Sequence, residues 1–171
     1  MTTVTKHTLS VLVENKPGVL ARISSLFSRR GFNIDSLAVG ETEHAEISRM
    51  TVVVDVDTLP LEQVTKQLNK LVEVIKVVEL DPLASVNSQV VLVKVRSEAA
   101  NRSGVLETAQ MFKAKIVDTT ADAMTLQVYG NSDKIAAMLE ILEPYGIKEL
   151  VQSGVVAIGR GPRSITDRSR H

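Results

Sequence analysis

Between Leu9 and Leu80 the hydrophobic period switches repeatedly between two and about 3.6, and that succession leaves few folds open. Leu9, Val11 and Val13 alternate with Ser10, Leu12 and Glu14, the pattern of a strand with one buried face. The strand stops at Glu14-Asn-Lys-Pro-Gly18, a run of turn formers. From Val19 the period lengthens. Leu20, Ile23, Leu26, Phe27 and Arg30 mark an amphipathic helix that ends at Gly31. Phe32-Asn33 leads into a second strand, Ile34 to about Val39, and the polar stretch Glu41 to Glu46 reads as a turn. A third strand, Arg49 to Val56, puts Met50, Val52, Val54 and Val56 on one face. Thr58-Leu-Pro-Leu61 reads as a helix start with Pro60 near the first helical position, and Leu61, Val64, Leu68 and Leu71 continue its stripe. Val74 to Leu80 is a fourth strand, broken by Asp81-Pro82.

The order over 1–81 is β-α-β-β-α-β, the ferredoxin-like split βαβ arrangement of an α+β domain. Right-handed crossovers place both helices on one face of a four-stranded antiparallel sheet. Residues 82–88 read as a linker, after which a similar order begins again. Val90 to Val95 is a strand, and Asn101-Arg-Ser-Gly104 is a turn with Ser103 as a candidate cap before a helix from Val105 to Phe112. Ala114 to Thr119 and Met124 to Tyr129 read as strands. Asn131-Ser132 caps a helix through Leu142, closed by Pro144 and Gly146, and Ile147 to Val151 and Val155 to Ile158 are short strands. Residues 89–159 therefore read as a second α/β domain. The remainder, 160–171, is basic and nearly devoid of apolar residues, which predicts a flexible tail.

Composition narrows the function. Lys plus Arg and Asp plus Glu each number 20, so no net charge draws the chain to nucleic acid or to an anionic membrane. The absence of Cys excludes disulfides, thiolate metal sites and a thiol nucleophile. Aromatic residues make up only 3% of the chain, too few for a base-stacking surface. The N-terminal residues lack the apolar core of a signal peptide and no apolar run approaches ~20 residues, which points to the cytoplasm.

The loop Glu14 to Leu20 is the most informative stretch. A strand running straight into a helix exposes that helix's unpaired N–H groups and the positive end of its dipole, which accept a carboxylate or a phosphate. Gly18 lets a ligand approach the backbone, and Asn15 offers both a donor and an acceptor to an amino-acid head group. On spacing alone an ordinary turn is the commoner meaning of Asn-Lys-Pro-Gly. Asn33, likewise, suits a left-handed turn position as well as a ligand role. Elsewhere His7, His44 and His171 have no metal-ligand spacing, so neither a metal site nor a catalytic set is expected. Asp55 and Asp57 read as solvated strand residues, and Gly159-Arg-Gly161 lacks the strand-to-helix setting of a dinucleotide fingerprint.

Asn15-Lys-Pro-Gly-Val-Leu-Ala-Arg22 and Phe27-Ser-Arg-Arg-Gly-Phe-Asn-Ile-Asp-Ser-Leu37 resemble the signature of ACT domains. With Ser48-Arg-Met-Thr51, Glu62-Gln-Val-Thr-Lys-Gln-Leu-Asn-Lys-Leu71 and Val151-Gln-Ser-Gly-Val-Val156, the chain from about Thr8 to Arg163 is similar to the regulatory (small) subunits of acetolactate synthase. The resemblance implies two ACT domains side by side in a continuous sheet, with valine or another branched-chain amino acid at the seam. By position, Asn15, Lys16, Pro17 and Gly18 match the head-group loop of one subunit, Asn33 and Ile34 match residues of the facing subunit, and Val19 and Leu20 match the apolar pocket. Gly40 falls where some members carry a slightly larger residue. The resemblance further implies a chain that is not itself an enzyme. It would feedback-inhibit and activate a catalytic large subunit carrying thiamine diphosphate, Mg²⁺ and FAD, with the C-terminal domain, and also the basic tail, as contact candidates. Two rivals stand beside it. An amino-acid-responsive regulator of transcription or of another enzyme is opposed, for transcription, by neutral charge and the lack of a helix-turn-helix pattern, and a small hydrolase by the lack of a convergent nucleophile and base.

Overall fold

The computed structural model describes residues 6–56 and 58–167, and the chain divides into two compact units, 1–86 with 155–171 and 87–154. In the first unit, β1 (Lys6–Glu14), α1 (Val19–Arg29), β2 (Asn33–Glu41), β3 (Ile47–Asp55), α2 (Thr58–Leu68) and β4 (Val74–Leu80) follow one another as the periods require. The strands lie in the order β2-β3-β1-β4, all antiparallel. Each helix therefore crosses over one strand, α1 over β3 and α2 over β1, and both pack on the same face.

That face is built from Leu9, Val11 and Val13 of β1 and Met50, Val52 and Val54 of β3, meeting Val19, Ile23 and Phe27 of α1 and Leu61, Val64 and Leu68 of α2. The stripe of α1 is rotated by one position from the sequence reading. Val19, Ile23 and Phe27 point inward, whereas Leu20 is 44% exposed. The two candidate stripes share Ile23 and Phe27, so periodicity alone cannot choose between Val19 and Leu20. Phe27 is fully buried. Phe27→Ala should lower the unfolding free energy by about 3–5 kcal/mol, read as a reduced urea midpoint with an unchanged slope.

The opposite face of the sheet is covered too, contrary to the one-sided burial read from β1. Ser10 and Leu12 are buried there, along with Thr51. What covers it is the end of the chain. β9 (Val156–Gly159) and the residues around it belong to the first unit. Val155 and Ala157 are buried, and the Val155 N–H donates to Ser36 Oγ at 2.7 Å. The expected flexible tail, 160–171, is likewise placed as far as it is described. Arg160 N–H donates to Ala84 O at 2.8 Å, Ile165 and Thr166 line a cavity with Leu12, Ile47 and Arg49, and Lys76 Nζ donates to Asp167 O at 3.2 Å. Main-chain bonding and one apolar side chain hold a stretch whose composition alone offers little to bury. Residues 168–171 lie outside the described residues.

The expected linker, 82–88, is a 3₁₀ turn, Pro82–Ala84, capped by Asp81 Oδ1 on Leu83 N–H and followed at once by β5 (Ser85–Arg96). In the second unit β5 is joined by α3 (Arg102–Met111), β6 (Lys115–Thr119), β7 (Ala123–Gly130), α4 (Ser132–Leu142) and β8 (Ile147–Gln152). Its strand order, β6-β7-β5-β8, repeats the crossover pattern of the first unit, and β9 also pairs with β5. Val91, Val93, Val95, Met124, Leu126 and Val128 meet Val105 and Ala109 of α3 and Ile135, Met138 and Leu142 of α4. Asn131 caps α4 as expected, accepting from Lys134 N–H at 2.8 Å. α3 starts three residues earlier than Val105, with Ser103 inside its first turn. Arg102 Nη2 donates to the carbonyls of Ser97, Thr120 and Ala121, which fixes that start. A Cβ on Gly104 would clash with the Tyr145 hydroxyl oxygen, so a larger residue there would displace that side chain.

Candidate functional site

The loop between β1 and α1 is held open by its own side chains. Asn15 N–H donates to Glu46 O at 2.8 Å. Its side-chain Nδ2 donates to Ala45 O at 3.0 Å and to Glu41 Oε1 at 3.3 Å, tying the loop to the hairpin between β2 and β3. Lys16 Nζ folds back onto the Glu14 carboxylate at 3.0 Å. Lys16 and Pro17 are exposed.

Gly18 is the N-cap of α1 at φ 86°, ψ −11°, a left-handed geometry that glycine adopts without the Cβ clash. It offers no side-chain cap, and the first turn carries no acidic residue. The earliest N–H groups of α1 are thus uncapped by any side chain, and a Cβ built on Gly18 would meet nothing within 4 Å. The start of the helix has a positive dipole, open space beside Gly18 and no acidic side chain in its first turn. Leu20 projects outward beside this opening, while Val19 is spent on the core.

Asn33 and Ile34 begin β2. Asn33 Nδ2 donates to Asp35 Oδ1 at 3.1 Å, and Asp35, at the bulge in β2, pairs with Lys6 at 3.0 Å. Ile34 is half-buried against the core. The strand register places these residues far from the loop. Asn33 lies opposite Asp55, whereas Glu14, next to Asn15, lies opposite Ile47. The two positions sit at opposite ends of β3, roughly 27 Å apart at ~3.4 Å per residue. One copy of the chain does not bring Asn15 and Asn33 together.

β2, which carries Asn33, is an edge strand. When an edge strand pairs antiparallel with its own copy about a twofold axis, the start of each strand lies against the end of the other. Glu41, at the end of β2, is the residue that Asn15 contacts. Such a pairing carries Asn33 of one copy toward the Asn15 loop of the other.

Gly40 also lies on β2. A Cβ there would meet nothing and its backbone is not left-handed, so a larger residue fits. Sequence reasoning missed Arg49, whose Nε donates to the buried Ser10 Oγ at 2.7 Å. Burial pulls its guanidinium below the usual arginine range, and Glu43 partly offsets that. The only hint was a charged residue on the face of β3 opposite Met50.

Of the remaining candidates, His7 Nδ1 meets Glu79 Oε1 at 2.5 Å, and His44 is exposed. His171 and Asp57 lie outside the described residues. Asp55 Oδ1 is buried without a partner. Gly159 to Gly161 leads from β9 into turns rather than a helix. Among the described residues no group of three or more metal-ligating side chains converges, and no helix is long and apolar enough to cross a membrane.

Residues 9–76 match a family model described as an AHAS small subunit-like ACT domain, and residues 88–161 match one described as the small subunit of acetolactate synthase. The chain is 58% identical over 159 residues to the acetolactate synthase small subunit of Mycolicibacterium smegmatis, covering 93% of this chain and 94% of that protein. It is 50% identical over 156 residues to a probable acetolactate synthase small subunit of Archaeoglobus fulgidus, covering 91% of this chain and 98% of that one. Among solved structures, the acetolactate synthase small subunit of Thermotoga maritima superposes with a TM-score of 0.85 at 36% identity, over 94% of this chain and all of that one. With both halves matched by its models and close relatives aligned nearly end to end, the chain belongs to the acetolactate synthase small-subunit family.

Proposed function

We propose that this chain is the regulatory subunit of an acetolactate synthase, which binds valine or another branched-chain amino acid at a seam between two copies and passes that occupancy to a catalytic large subunit. The observation that carries the reading is the separation of the two half-sites along one chain, with the open edge strand β2 between them. The effector's carboxylate sits on the uncapped amide hydrogens of α1, next to Gly18. The Asn15 loop of one copy and Asn33 and Ile34 of the other take its ammonium group, and Leu20 flanks its side chain.

Residues 87–154 supply the contact with the large subunit, which this chain activates in the cytoplasm. The large subunit brings thiamine diphosphate, Mg²⁺ and FAD and condenses pyruvate with pyruvate or 2-oxobutyrate on the route to valine and isoleucine. This chain does no bond-making. Its part is a coupling free energy of typically ~1–3 kcal/mol, equivalent to roughly 5–150-fold inhibition. That coupling arises only if valine has different affinities for the active and inhibited arrangements.

Calorimetry on the full chain tests the reading first. Valine should bind at one site per chain, two per dimer, and the same titration into the complex should track loss of turnover. Silence at millimolar valine, leucine and isoleucine would refute it.

A further inference from the structure

The second face of the first sheet is an internal docking surface, and its occupant is the chain's own return segment. Ser36 on β2, Val53 on β3 and Thr8 on β1 form one cross-strand row on this face, and Gly40, Arg49, Leu12 and Lys76 form another. Much of the face is small or polar, which lets a main chain lie close. Val155–Asp167 does so, meeting β2 near both ends. The Val155 N–H is bonded to Ser36 Oγ near the start of that strand. Ile165 and Thr166, together with Glu41 and Thr42 at its end, line a cavity of about 150 Å³.

β2 is also the strand that begins with Asn33 and Ile34, and its last residue, Glu41, accepts from Asn15. The return segment thus grips the strand that bears one half of the seam. At its other side it is joined to β5. β9 pairs with that strand, Arg160 N–H bonds Ala84 O just ahead of it, and β5 continues unbroken into the second unit. The chain re-enters the first unit at Val155, the residue that bonds Ser36.

We propose that Val155–Asp167 is the transmission element of the seam, with Ser36 as its positioning residue: displacement of β2 on effector binding is passed through this segment to β5, and so to residues 87–154. The inference rests on the proposed effector seam. It assigns the return segment a role distinct from both ligand binding and partner contact. Coupling of this kind requires an element that both sites bias, and β2 with the return segment is a set of bonds that meets the seam and leads out of it.

The test uses the full chain alone and in complex with its catalytic subunit. In Ser36→Ala, valine should bind within about twofold of wild type and basal activation should be retained, while the extent of inhibition by saturating valine falls at least fivefold. Ser36→Thr, which keeps the acceptor, should restore inhibition. Ala157→Glu, which drives a charge against the covered face, should uncouple more fully. Hydrogen exchange supplies the second readout: valine should slow exchange in 33–41 and also in 155–160, and in Ser36→Ala only the former. Valine protection confined to 33–41 in wild type, or full inhibition in both Ser36→Ala and Ala157→Glu, would overturn the transmission role and leave the seam standing. No valine effect in either peptide, with no inhibition, would remove the seam itself and this inference with it.

Discussion

Gly18→Glu should abolish feedback. Valine affinity is expected to fall about 100-fold or more, which is ~2.7 kcal/mol of binding, while activation of the catalytic subunit stays within about twofold of wild type. Two features of Gly18 set this expectation. Its φ of 86° lies in the left-handed region, where an ordinary residue costs about 1–2 kcal/mol. That lowers stability modestly and does not by itself unfold a domain whose core lies elsewhere. A Cβ there meets nothing within 4 Å, so the new side chain is accommodated and extends into the space in front of α1. The first turn of α1 has no acidic residue, and the introduced carboxylate occupies the amide hydrogens that the effector's carboxylate would use. Gly18→Ala carries the same backbone strain without the charge, and should keep most of the inhibition. Equal valine sensitivity in Gly18→Glu and wild type would place the effector away from the start of α1.

How much of this was readable beforehand depended on how local the cause was. The loop from Glu14 to Gly18 could be placed between β1 and α1 because the change of period on either side of it is a property of adjacent residues. The capping of α4 by Asn131 was readable for the same reason. The choice between Val19 and Leu20 was not, because both fit a helical stripe through Ile23 and Phe27 and only the packing against β1 and β3 selects one. The opposite face of the first sheet was misread for a different reason. The alternation along β1 correctly separates Leu9, Val11 and Val13 from Ser10 and Leu12, but it cannot say that a segment more than a hundred residues later covers the second set. The bond from Val155 to Ser36 spans 119 residues and has no trace in any local pattern. Residues 160–167 looked like a free end because their composition is basic and polar, whereas main-chain bonding such as Arg160 to Ala84 does not register in composition at all. The candidate site divided in the same way. Its loop and helix start were legible in the residues themselves, while the distance separating Asn15 from Asn33 appears only once β1, β2 and β3 are in register.

That distance leads to the most demanding prediction, a recovery of binding from two inactive proteins. Gly18→Glu damages the loop half of each seam site, and Asn33→Lys damages the β2 half by placing a cation where the effector's ammonium group approaches. Each variant alone forms dimers in which both sites carry a defect, so neither should bind valine in calorimetry. Mixed and allowed to exchange protomers, they form dimers of both kinds. In a mixed dimer one site collects both defects and the other collects neither, because the loop and the strand at each site come from different copies. Random exchange of equal amounts makes about half of the dimers mixed, so roughly one quarter of all sites should be intact. The mixture should therefore bind valine with the wild-type dissociation constant and about one quarter of the wild-type stoichiometry. It should also regain partial valine inhibition in the complex. If Gly18 and Asn33 served a pocket within one chain, mixing would restore nothing, whatever the proportions. If Asn33 played no part, Asn33→Lys alone would already bind valine. Recovery at wild-type affinity with reduced stoichiometry follows only from a site whose two halves lie at opposite ends of one sheet and meet across β2.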